Sequence, residues 1–263
     1  MTDATATDDV LLTSRHGRTQ VVRLHRPEAR NALDRALRRA LYDAMAAAEA
    51  DPEVDVVVLT GSDPAFCAGL DLRELAGDPS MLSGGFEGGS ELRRPWPDIT
   101  KPLVGAVNGV AVTGGLELAL GCDLLVASDR ARFADTHARV GVQPGWGMSV
   151  LLPQAVGTRR ARQMSLTGNF VDAGLALDWG LVNEVVPHDD LLPRCLAIAE
   201  DISGNDQPGV RRLLATYREN VQLTGHDAQR NEWRVSAEWE AGADHGDLDD
   251  RRRATTERGR DQV

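Results

Sequence analysis

Glu117 stands in Gly114-Gly115-Leu116-Glu117-Leu118-Ala119-Leu120, among neighbours that are nearly all apolar. A carboxylate is costly to bury in such company unless it is paired or used. Burial also raises its pKa toward that of a working general base. A structural ion pair is the alternative reading of the same residue. Just upstream, Asn108–Gly115 is a loop punctuated by Gly109, Gly114 and Gly115. A second such loop is Ala65-Phe66-Cys67-Ala68-Gly69-Leu70-Asp71-Leu72, ahead of a short helix expected over 70–76. The first N–H groups of a helix have no intrahelical partner, and glycine lets the backbone come close to a ligand. Two such donor sets facing one carbonyl from two sides would stabilise negative charge on its oxygen. Asp71, in the first turn, suits the helix dipole. An ordinary strand–turn–helix connection is the plainer reading of either loop alone.

These loops need rigid elements to hold them. Thr19–His25 reads as a strand, ended by Arg26-Pro27. Either Asn31 or Asp34 caps a helix over roughly 34–50, which Asp51-Pro52 stops. Val54–Leu59 and Pro102–Val107 are short, nearly continuous apolar runs, the pattern of strands buried on both faces. The series strand, glycine loop, short helix, strand appears twice, around Gly69 and around Gly114, with Asp123–Ser128 closing the second. Met148–Ala155, Arg159–Leu166 and Asp172–Trp179 read as short helices and Leu181–Val186 as the last strand. From about 189 onward the pattern is helical only, broken near 203–209 and 223–227. Residues 77–90 hold five Gly and read as a flexible loop placed to act as a lid. The expectation is an α/β core over 10–200, a loose N-terminal tail over 1–9 and a helical region over 201–263.

Composition narrows the class. The net charge of −11 disfavours nucleic acid as a partner. It leaves room for an anionic small molecule at a local basic patch, and the Arg-rich stretch Arg251–Arg260 is one candidate. No apolar run is long enough to span a membrane. The residues Met1–Asp9 lack the features of a signal peptide, so a cytoplasmic location is expected. Three cysteines, at 67, 122 and 195, have neither disulfide nor zinc spacing.

Together the motifs resemble the crotonase family, also called the enoyl-CoA hydratase/isomerase superfamily. Arg26-Pro27-Glu28-Ala29-Arg30-Asn31-Ala32-Leu33 is similar to its first signature and Phe66–Leu72 to its first oxyanion loop. Lys101-Pro102 with Val104–Glu117 resembles the central signature. Phe133–Gly147, then Leu166-Thr167-Gly168 with Ala173–Val186, follow the later pattern in order. The resemblance implies a spiral of ββα repeats with C-terminal helices for assembly into homotrimers or dimers of trimers. It also implies an acyl-CoA thioester substrate, with coenzyme A carried as part of that substrate, no tightly held cofactor and no metal. The oxyanion donors would be the backbone N–H groups of Leu70 and Gly114. Arg26, Ala29, Arg30, Ala68, Asp71 and Leu72 would line the CoA path.

One part of the pattern is missing. Glu117 takes the place of the first catalytic glutamate of the hydratases, but the position of the second aligns with His137, in Phe133-Ala134-Asp135-Thr136-His137-Ala138-Arg139. Hydration needs one group to activate water and an acid to protonate C2. Glu117 suits the first task. His137 suits the second, since an imidazole titrates near neutrality, with Asp135 as the substitute if the strand is shifted. The leading expectation is an enoyl-CoA hydratase-type lyase. Another reaction of the family (isomerisation, racemisation, decarboxylation or thioester hydrolysis) and a non-catalytic acyl-CoA-binding protein are the alternatives.

Overall fold

The computed structural model describes residues 5–6, 10–78 and 95–242. The glycine-rich segment read as a lid falls largely on 79–94, and Arg251–Arg260 on 243–263; both lie outside the described residues. By its contacts the chain divides into two compact units, Met1–Arg211 and Arg212–Val263.

The first unit is built on two sheets. The larger holds β1 (Thr5–Ala6), β2 (Leu11–His16), β3 (Thr19–Leu24), β4 (Val56–Gly61), β6 (Leu103–Val107), β8 (Leu124–Ser128) and β11 (Glu184–Val186), in that order. From β3 to β11 the neighbours are parallel, while β1, β2 and β3 pair antiparallel. Thr5 and Ala6, read from sequence as part of a loose tail, thus sit on a sheet edge against Thr13 and Leu12. The smaller sheet has the order β10 (Val171–Asp172), β9 (Arg132–Ala134), β7 (Val110–Val112) and β5 (Ala65–Cys67).

Three successive units of the chain share one plan. A long strand enters the first sheet, a three-residue strand enters the second, and a short helix follows. The helices are α2 (Leu72–Gly77), α3 (Gly114–Leu120) and α4 (His137–Val140). The segments read as plain loops around 61–69 and 108–115 therefore contain β5 and β7. Three residues are too few to show an alternating pattern, which is why these strands escape sequence reading. β2 escapes it too.

The continuous apolar runs have the predicted cause. In β4, Val57 and Leu59 join the core shared with α1 (Arg35–Ala50), which contributes Leu37, Leu41, Met45 and Ala48. Val56 and Val58 face the other way, into a cluster with Leu191, Cys195 and Ala199 of α8 (Leu191–Ser203). Side chains alternate across a strand, so a strand covered on both faces must be apolar throughout. Because α8 packs on this sheet, the all-helical stretch starting near 189 contributes to the core of the first unit.

Asp34 caps α1 by accepting the N–H of Leu37 at 2.7 Å. The other end of α1 is closed by Lys101, the one lysine of the chain. Its Nζ donates to the carbonyls of Ala48 and Asp51, each at 2.6 Å, with the residue only 1% exposed. Further on lie α5 (Met148–Val156), α6 (Thr158–Thr167) and α7 (Ala173–Trp179). α9 (Gln207–Asn220) and α10 (Gly225–Gly242) complete the described chain. In the second unit, Asn231 Nδ2 ties α10 to the end of α9 through Glu219 at 3.1 Å and Asn220 at 2.9 Å. Among the described residues no helix is long and apolar enough to cross a membrane.

Candidate active site

The site gathers where the first two repeats meet the third. Gly69 has φ +89°, a conformation that side chains rarely adopt. A Cβ added to it would stand 2.9 Å from the Val112 carbonyl oxygen and 3.3 Å from the Gly114 nitrogen. The two glycine loops predicted to face one carbonyl are thus packed directly together.

Their donors arise differently from the expectation. α2 starts at Leu72, two residues later than predicted, and Asp71 is its cap, accepting the N–H groups of Arg73 at 3.0 Å and Glu74 at 3.4 Å. Those helix-start donors are therefore consumed. Leu70 instead lies in an extended segment bridged to Leu33. Leu33 N–H donates to the Gly69 carbonyl at 2.7 Å, and Asp71 N–H donates to the Leu33 carbonyl at 3.1 Å. Groups alternate along extended backbone, so the Leu70 N–H points away from Leu33. α3 starts two residues earlier than the loop read over 108–115 allowed. It begins at Gly114, and the Thr113 hydroxyl makes no cap; it is bonded to the Thr136 hydroxyl instead. The first N–H of the helix has no acceptor within the helix. Thr113 itself has φ +55°, which is strained for a β-branched residue. Its N–H, donating to the Ala134 carbonyl at 2.9 Å, helps to hold it there.

Residues 26–34 clamp the first loop. Asn31, read as a possible helix cap, is fully buried with φ +55°. Its Nδ2 donates to the carbonyls of Ser62 and Ala65 at 2.7 Å and of Phe66 at 3.2 Å, and its Oδ1 accepts the Arg26 N–H at 2.9 Å. Ala68 N–H donates to the Arg30 carbonyl at 3.0 Å. Between these segments lies a cleft of about 450 Å³ that includes all six residues expected on the CoA path: Arg26, Ala29, Arg30, Ala68, Asp71 and Leu72. Arg73, which the sequence reading missed, also lines it, as does Leu70. The charge of Arg26 is spent inside the protein, on Asp71 and Asp34 at 3.2 Å each. Arg30 and Arg73 are exposed.

Glu117 is 3% exposed and lies in α3. Its Oε1 accepts the N–H of Trp146 at 2.7 Å and of Met148 at 3.4 Å, so the carboxylate faces the start of α5. Burial pushes its pKa up, and these N–H groups together with the neighbouring His137 only partly offset that. His137 opens α4, is 7% exposed, and brings Nε2 to 3.7 Å from Glu117 Oε2. The Asp135 carboxylate, read as the possible substitute, stands on the other side of the ring, with Oδ1 at 2.6 Å from His137 Nδ1. The Trp146 ring closes one side. Its Cζ3 would be 3.3 Å from a Cβ on Gly114, and the Arg38 guanidinium lies 5.8 Å from the ring centroid. The backbone donors from Trp146 and Met148 leave no signature in residue type, so sequence reasoning had no means to find them.

A family model for enoyl-CoA hydratase/isomerase matches residues 15–245. Among solved structures, an enoyl-CoA hydratase from Mycobacterium tuberculosis H37Rv is 52% identical, with a TM-score of 0.75, covering 87% of this chain and 98% of that one. A probable peroxisomal enoyl-CoA hydratase of Arabidopsis thaliana is 36% identical, over 85% of this chain and 84% of its own. A probable enoyl-CoA hydratase of Rhizobium meliloti is 37% identical, over 86% and 88%.

Proposed function

The chain belongs to the enoyl-CoA hydratase/isomerase family, and from there we propose that it adds water across the 2,3 double bond of an enoyl-CoA thioester. The observation that carries this reading is the buried pair of Glu117 and His137, 3.7 Å apart, beside the junction of the two glycine loops.

The thioester oxygen would accept the N–H groups of Leu70 and Gly114, which stabilise it as the acyl group takes on enolate character. Glu117 would act as base and His137 as acid. A water about 2.8 Å from each can touch both Glu117 Oε2 and His137 Nε2 across the gap. As the C3–O bond forms, Glu117 takes a proton from the water. As the π bond opens toward C2, the ring of His137 delivers a proton to that carbon. Proton transfer from Glu117 Oε2 to His137 Nε2 then restores the starting state, so water supplies both the OH and, in net terms, the H.

The CoA moiety would lie along the 450 Å³ cleft, with Ala29, Ala68 and Leu72 against its body. Arg30 and Arg73 would meet its phosphates, and Arg26 would shape the cleft through Asp71. Coenzyme A enters and leaves as part of the substrate, and the proposal needs neither a bound cofactor nor a metal. Homotrimers or dimers of trimers belong to the same proposal. Leu213 and Tyr217 on α9 and Val221 just after its end are 60%, 68% and 53% exposed and form an apolar face suited to subunit contact.

The test is hydration of crotonyl-CoA and longer enoyl-CoAs by the purified protein. Glu117→Gln is expected to lower kcat by about a hundred- to ten-thousandfold with KM little changed. His137→Ala is expected to slow turnover far more than it weakens binding. Tight binding of enoyl-CoA with no turnover of any chain length would overturn the proposal in favour of a binding protein.

A further inference from the structure

Asp135 is a buried carboxylate, 2% exposed, to which the reaction above gives no task. We infer that Asp135 is the positioning residue of the acid–base pair, fixing the ring of His137 so that Nε2, facing Glu117, is the atom that exchanges protons. The inference rests on the roles proposed above for Glu117 and His137.

One oxygen of Asp135, Oδ1, meets His137 twice: it accepts the backbone N–H at 3.1 Å and lies 2.6 Å from ring Nδ1. Both ends of the histidine are thereby tied to one atom. Burial alone would push the Asp135 carboxyl up, but bonds from the His137 ring, from Ser165 and from the His137 N–H bring it below its ordinary range. An ionised carboxylate only accepts, so Nδ1 must be the donor. The other neutral tautomer would set two lone pairs against each other at 2.6 Å. A neutral ring therefore keeps its proton on Nδ1 and presents a lone pair at Nε2.

Glu117 Oε1 accepts the N–H groups of Trp146 and Met148, Gly145 adds a backbone donor at the carboxylate, and Oε2 is the oxygen that faces the ring. His137 Nε2 and Glu117 Oε2 face each other at 3.7 Å. Among the described residues, the charged groups facing the ring are Asp135, from the β9–α4 connection, and Glu117, from α3; α6 contributes the neutral Ser165. The arrangement is anion, ring, anion. It works with one proton shared between Nε2 and Oε2. Without that proton there is no acid, and with a second there is no base, so turnover has a bell-shaped dependence on pH.

Two measurements test this. The first needs no turnover: the ¹⁵N shifts of the His137 ring in the wild-type protein, assigned by their loss in His137→Gln. A proton on Nδ1 of the neutral ring is expected. A ring protonated at Nε2 alone would overturn the inference, whatever the enzyme's substrate. The second is Asp135→Asn, which keeps the size and an acceptor oxygen but removes the charge. It is expected to lower kcat about tenfold to a hundredfold with KM for enoyl-CoA within about threefold, and to move the alkaline limb of the profile to lower pH. A variant that folds, with unchanged kcat and unchanged limbs, would also overturn it. Wild-type protein that shows the Nδ1 proton but hydrates no enoyl-CoA would defeat the proposed reaction and leave the positioning role standing.

Discussion

The loop at Gly69 and the loop at Gly114 follow second-sheet strands in successive repeats, yet they are held differently. The Gly69 loop is fastened from outside by residues 26–34, through the buried Asn31 amide, the Leu33 bridge and the Arg26–Asp71 pair. Its helix is capped by Asp71, and the proposed donor, Leu70, lies ahead of it in extended backbone. The Gly114 loop is held from within, by contact too close for a side chain. A Cβ on Gly115 would stand 2.0 Å from the Cys67 carbonyl oxygen. Its helix has no side-chain cap, and the proposed donor is its first N–H. The two proposed donors share no local motif.

The comparison predicts that the second loop fails at a single point. Gly115→Ala is expected to move α3 off β5, because the nearest atoms the new Cβ meets are the Cys67 carbonyl oxygen and carbon, backbone atoms that cannot turn aside. Overpacking of this kind costs about 1–3 kcal/mol or more, and Glu117, two residues on, moves with the helix. Turnover is expected to fall by more than a hundredfold alongside a clear drop in Tm. A Gly115→Ala enzyme with wild-type kcat and Tm would show that α3 does not depend on this contact.

Outside fastening should fail more gradually. Asn31→Ala leaves the carbonyls of Ser62 and Phe66 and the Arg26 N–H without their partner, while the Ala65 carbonyl keeps Asn108 Nδ2 at 3.2 Å. Unmet buried groups and alanine in left-handed backbone together are expected to cost about 3 kcal/mol. Thermal unfolding would measure that loss. Turnover is expected to fall about tenfold, since the Leu33 bridge still orients Leu70. A loss of activity as deep as that of Gly115→Ala would mean that the two loops are equally fragile.

This difference also marks what could be read in advance. Val56–Gly61 and Leu103–Val107 were legible because a strand buried on two faces must be apolar throughout. Glu117 was legible because a lone carboxylate in an apolar run is anomalous. Asn31 was not, since an Asn ahead of a helix looks like a cap whether it bonds to its own helix or to a loop 34 residues away. The third repeat was missed because β9 is three residues long and α4 four. With it went the reason His137 meets Glu117: parallel pairing of β7 with β9 brings the ends of their strands side by side. The resemblance placed His137 in the site, but only the side-chain geometry shows that Nε2 faces the glutamate and Nδ1 faces Asp135.

The smallest expected effect sharpens the comparison most. Asp71 caps α2 and pairs with Arg26, and both jobs serve the outer fastening of the first loop. Burial would push its carboxyl up, but the Arg73 N–H, the Arg26 guanidinium and the Glu74 N–H outweigh that and hold it below the ordinary value of 3.8. A carboxylate lowered on folding contributes stability above its unfolded pKa, and the contribution is lost as pH falls through the folded one. Asp71→Asn keeps an acceptor for the cap and loses the charge. At neutral pH it is expected to cost about 0.5–1 kcal/mol, with the gap in Tm to wild type closing below the ordinary value of 3.8. Turnover is expected to stay within about twofold, because Asn31 and Leu33 still hold the loop. If Asp71→Asn instead removes activity as Glu117→Gln does, while Tm barely moves, the first loop is not redundantly fastened. Its aspartate would then act on the substrate rather than on the fold.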